Sequence, residues 1–80
     1  MELSTRASEL REAVEAATDS PAQVTRVGTS VRITAPIKSH TTPAQWGRTL
    51  DVVRRGDDWG TTSVSGTVLV WSEIHETEQP

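Results

Sequence analysis

The chain contains no cysteine, phenylalanine or tyrosine, and its only aromatic residues are three tryptophans. It also contains no asparagine and a single lysine, Lys38. Without cysteine there are no disulfides and no thiolate metal site. An uncrosslinked small domain suits a reducing compartment, so a cytoplasmic location is expected. No apolar run approaches the ~18 residues of a membrane span. The opening MELSTRASEL has no apolar signal-peptide core, so export by that route is not expected.

Catalytic patterns are scarce too. Two histidines, His40 and His75, fall short of the three or four ligands a metal centre gathers. Glu73 and His75 share one side of a strand, too few on their own. There is no Gly-x-Ser-x-Gly elbow and no phosphate loop. His40, between Ser39 and Thr41, reads as a loop ahead of a helix cap. Asp57 and Asp58 are adjacent, so a strand would splay them apart, whereas acid–base work needs convergent carboxylates. The expectation is a non-enzymatic protein with no cofactor and no metal.

The 80 residues fit one small domain, 1–75, with a polar tail at 76–80. A chain this short builds a limited core and gains from good caps or from oligomerisation. Arginine outnumbers lysine seven to one, a bias expected of a high-GC genome such as that of an actinobacterium or one of its phages. The net charge of −3 hides a segregation. Acids dominate residues 1–20 and 57–80. Between them Arg26, Arg32, Lys38, Arg48, Arg54 and Arg55 face Asp51 alone. Such a division serves either internal neutralisation or a basic patch for an anionic partner.

Periodicity predicts a helix over 4–18, where Leu3, Ala7, Leu10, Val14 and Ala17 form one stripe behind an N-cap at Ser4. QVTRV and VRITA flank Gly28-Thr29-Ser30 and predict a hairpin over 22–36, ended by Pro36. Thr42, Pro43 and Gln45 form a capping box that opens a helix over 42–55. Its stripe is Trp46, Leu50 and Val53, its last turn carries Arg54 and Arg55, and Gly56 stops it. Residues 59–64 and 67–75 predict a second hairpin through Ser65-Gly66, with Trp59 packing over the end of that helix. VGTSVRITA (27–35) and VSGTVLVWS (64–72) align without gaps, a weak repeat of the hairpin.

The order αββαββ is a circular permutation of the ferredoxin-like βαββαβ plait. The expected fold is therefore an α+β two-layer sandwich, two helices on one face of a four-stranded antiparallel sheet. Val31, Ile33, Val68 and Val70 would meet Leu10, Val14, Trp46, Leu50 and Val53 inside. The other face would show Arg32, Thr34, Leu69, Trp71 and Glu73. VSGTVLVWSEI is apolar on both sides, where a half-covered strand alternates. Leu69 and Trp71 thus call for a partner: a second copy, giving a homodimer, or another protein, as suits a bacterial or phage accessory factor. The alternative is nucleic acid, with Trp71 stacking on bases and Arg26, Arg32, Arg54 and Arg55 reaching phosphate. A β-bulge at Gly28 or Gly66 would exchange the two faces.

Asp58-Trp59-Gly60 and Val70-Trp71-Ser72-Glu73-Ile74 resemble the C-terminal part of the anti-sigma-factor kinase-like ATPases. The resemblance covers the last quarter of the chain. It implies a nucleotide held by an asparagine-bearing helix under a glycine-rich lid. This chain has neither, so no activity is carried over.

Overall fold

The computed structural model describes residues 4–38 and 41–76. Helix α1 spans Thr5–Thr18. Ser4 caps it by accepting the Ala7 N–H at 3.1 Å. It ends where Asp19 turns left-handed, with φ 54°. Strands β1 (Gln23–Val27) and β2 (Ser30–Pro36) follow. They are joined by Gly28-Thr29 alone, with positive φ at Gly28. That is a two-residue turn of the II′ kind, one residue shorter than the sequence suggests. Helix α2 spans Pro43–Val53, and Thr42 accepts the Gln45 N–H at 3.1 Å. Strands β3 (Asp58–Val64) and β4 (Thr67–His75) complete the chain. Their turn, Ser65-Gly66, has positive φ at both residues, as a type I′ turn requires.

The sheet order is β1-β2-β4-β3, antiparallel throughout. β2 and β3 are thus separated by β4 and connected through α2, which fits the permuted plait. The two turns coincide in the alignment of the hairpins. Exchanging β1 with β3 and β2 with β4 leaves the order unchanged. No bulge interrupts the registers, so the faces lie as alternation predicts.

Ala7, Leu10, Val14, Ala22, Val31, Ile33, Ala35, Val53, Val70 and Ile74 form the core. Three of the ten are alanines, so α1 approaches β2 closely. Three buried hydroxyls share this interior, and each finds a helix carbonyl. Thr18 donates to Val14 O at 2.8 Å, Thr49 to Gln45 O at 2.9 Å, and Ser72 to Val53 O at 2.7 Å. Among the described residues no buried side-chain polar atom lacks a partner. Nor is any helix long and apolar enough to cross a membrane.

Four expectations need correction. Arg54 is the C-cap of α2 and Arg55 lies beyond it, because the helix ends at Val53. Val68 is 39% exposed, because the helices lie over β2 and β4 and leave its end of β4 uncovered. Trp46 and Leu50 are half-buried at the margin of the core rather than inside it. Trp59 is 41% exposed on β3. Leu3, Ser39, His40 and tail residues 77–80 lie outside the described residues.

Gly56 sits where α2 hands over to β3, pressed against β4. A Cβ there would collide with the Ser72 hydroxyl and lie 2.9 Å from the Glu73 carbonyl. Gly56→Ala should therefore cost about 1–3 kcal/mol, read by chemical denaturation. Unchanged stability would mean that this close approach is not maintained.

One residue on, Asp57 accepts the His75 backbone N–H at 2.8 Å and both Arg6 nitrogens at 3.4 Å. Arg6 also donates to Arg55 O at 3.2 Å, tying α1 to the chain leaving α2. The His75 N–H first, then the Arg6 guanidinium, hold the Asp57 carboxyl below its ordinary 3.8. The charged form is thus favoured by folding. Its contribution is present above that ordinary value and is lost as pH falls through the lowered one. Asp57→Ala should melt earlier than wild type at neutral pH, with the gap closing in acid. A gap that persists in acid would remove the carboxylate as its cause.

Candidate functional site

Alternation from the registers puts Ser30, Arg32, Thr34 and Pro36 of β2 on the face away from the helices. Leu69, Trp71, Glu73 and His75 of β4 join them. Gln23, Thr25 and Val27 of β1 and Asp58, Gly60, Thr62 and Val64 of β3 complete this outer face. The expected interface residues Arg32, Thr34, Leu69, Trp71 and Glu73 are therefore neighbours. All five are half-buried, although neither α1 nor α2 lies over this face.

The chain itself supplies part of their cover. Trp71 is registered against Gly60. A Cβ on Gly60 would lie 2.8 Å from the indole Cζ2 and 3.1 Å from its Nε1, so the ring occupies the space a side chain would fill. A cross-strand aromatic over a strand glycine restores packing that the glycine alone forfeits. The Arg32 guanidinium carbon stands 4.5 Å from the indole centroid. Arg32 Nε and Nη2 both reach Glu73 Oε2, at 2.9 and 2.8 Å. Glu73, Arg32, Trp71 and Gly60 thus form one continuous stack across three strands. Its cation is already paired and its indole already oriented.

Gly60 was not singled out from the sequence, yet a signal existed. A tight turn at Ser65-Gly66 sets the pairing of the hairpin, and counting back from it puts Gly60 opposite Trp71.

The residues expected to contact phosphate do not converge. Arg26 is registered against buried Val31, which directs it to the helix side of the sheet. Arg54 and Arg55 follow α2, in the helix layer. Only Arg32 and Trp71 share a face, with Glu73 bound to Arg32 and Asp58 nearby on β3. A phosphate approaching there would meet a neutralised cation and two carboxylates.

Two further features were not expected. Ser30 Oγ lies 3.2 Å from His75 Nδ1 at one end of the outer face. Asp57 bonds the backbone N–H of His75 rather than its ring, so it does not orient the imidazole as a triad acid would. At the opposite end of the sheet, beside α2, Ile37, Lys38, Trp46, Thr67 and Val68 line an open groove of about 570 Å³. Among the described residues no three His, Asp or Glu side chains gather as metal ligands.

No protein-family model, curated protein or solved structure matches the chain.

If the stack is cooperative, a double-mutant cycle on Arg32→Ala and Trp71→Ala should give a coupling of about 0.5–1 kcal/mol in urea denaturation. Additive losses would mean that guanidinium and indole stand side by side without interacting.

Proposed function

We propose that this protein acts by non-covalent protein–protein contact through the outer face of its sheet. Leu69 and Trp71 supply the apolar anchor. Arg32, Thr34 and Glu73 form the polar surround that sets orientation. The observation that carries the reading is the oriented Trp71 on a sheet face over which no helix lies. Rigid aromatic anchors ringed by satisfied polar groups are what binding hot spots consist of. An indole already held by Gly60 and Arg32 loses little freedom on binding, which favours affinity. A cytoplasmic accessory role in a bacterium or phage suits a small chain without cysteine.

The test is photo-crosslinking in the producing cell from an unnatural residue placed at position 69, with position 12 on α1 as control. Protein adducts should form from 69, be absent from 12, and disappear when Trp71→Arg is added. Equal labelling from both positions sinks the reading. Titration with single-stranded DNA forms the other arm. Tight binding whose logarithm falls with the logarithm of salt at a slope steeper than about −2 would replace protein contact with phosphate contact.

A further inference from the structure

Strand β3 is an edge of the sheet, and among the described residues no helix or strand covers its free side. It runs seven residues without proline, lysine, arginine or bulge, and every residue except Gly60 is exposed. Protected edges carry such interruptions or a covering element. The other edge, β1, has five residues, follows Pro21 and carries Arg26. The helices pack on β2 and β4 rather than on β3.

Which backbone groups of β3 are free follows from the ladder. The Ile37 N–H reaches Val68 O at 2.8 Å, so Val68 turns its peptide groups toward β2. Glu73 O accepts from Asp57 N at 2.8 Å, so Glu73 turns toward β3. By alternation Thr67, Leu69, Trp71 and Glu73 serve β3, and their partners are Val64, Thr62, Gly60 and Asp58. The N–H and C=O groups of Trp59, Thr61 and Ser63 therefore point away from the sheet, where the Trp59 N–H already donates to Asp58 Oδ1 at 3.0 Å. The side chains of these same residues stand on the helix side.

We infer that β3 pairs antiparallel with β3 of a second copy about a twofold axis at Thr61, making a continuous eight-stranded sheet. In this register Thr61 faces its own equivalent, and Trp59 faces the second copy's Ser63. All three outward residues of each copy then become hydrogen-bonded pairs, with the Trp59 N–H exchanging Asp58 Oδ1 for the second copy's Ser63 carbonyl. Shifting the centre by one residue loses part of this match. The side chains agree with the backbone. Ser63 is registered against Val68, so each Trp59 is directed toward the second copy's Val68. These are the two exposed large apolar residues on the helix side of the β3–β4 hairpin, at 41% and 39%. On the outer face Asp58 meets Val64 and Gly60 meets Thr62, so no like charges are opposed. The contact is isologous, as a closed dimer requires. It is independent of the outer-face reading and leaves Trp71 of both copies free on one side.

The test is solution mass from about 5 µM to about 500 µM, the range in which an interface below standard size associates. Amide hydrogen exchange is followed in parallel. Wild type should pass from monomer to dimer. The amides of Trp59, Thr61 and Ser63 should gain protection over the same range, while Gly60 and Thr62 stay protected throughout. Thr61→Pro removes an outward N–H and no ladder bond, so it should fold and remain monomeric. Thr61→Lys, which opposes two ammonium groups on the axis, should do the same. Trp71→Arg should dimerise like wild type. A wild type that is monomeric throughout overturns the inference. So does a dimer in which those three amides exchange unchanged, or one abolished by Trp71→Arg and not by the Thr61 variants.

Discussion

Two turns of two residues each govern the rest of this molecule. Gly28-Thr29 and Ser65-Gly66 leave no slack in either hairpin, so each strand meets its neighbour in one register. Side chains alternate with a period of two, and a slip of one residue would exchange every inner with every outer position. Val31, Ile33, Val70 and Ile74 are buried only because the turns hold that count. The Arg32–Trp71 stack, its seat on Gly60 and the outward peptide groups of β3 depend on the same count. Ser65 takes a left-handed φ of 52° to keep it, a conformation a non-glycine residue adopts at some cost.

The helix layer is narrower than the sheet. Two helices, of which α1 buries only Ala7, Leu10, Val14 and Thr18, cover the central strands and stop there. Hydroxyls replace bulk at three interior sites, where Thr18, Thr49 and Ser72 bind carbonyls of the helices. Ser72 has a second effect, since its small side chain lets Gly56 cross β4 closely. The interior is thus thin but fully bonded. What it leaves uncovered is concentrated on the β3–β4 hairpin, in Trp59, Val64 and Val68.

Element order, both helix caps and both faces of β2 and β4 were legible in the sequence. Capping residues act within one turn of the helix, and a period of two acts within one strand. The Thr42 cap and the alternation around Trp71 therefore show themselves locally. Coverage is a tertiary quantity and did not. Val68 looks like Val70 from the sequence, yet one is 39% exposed and the other lies fully buried within the core. The basic residues illustrate the same limit. Arg26 and Arg32 lie close in sequence, but the turn between them and the odd–even count put them on opposite faces. The outer-face cluster was legible as a set of neighbours. Its internal pairing through Gly60 was not, because a glycine announces space without saying what fills it.

The central ladder has a kinetic meaning as well. Arg32 and Glu73 are 41 positions apart, and Ser30 and His75 are 45 apart, so the middle of the sheet closes a long stretch of chain. Each hairpin closes only a two-residue loop, which takes microseconds, whereas non-local pairing is slow. The β2–β4 seam, rather than either hairpin turn, therefore carries most of the loop-closure entropy of this fold.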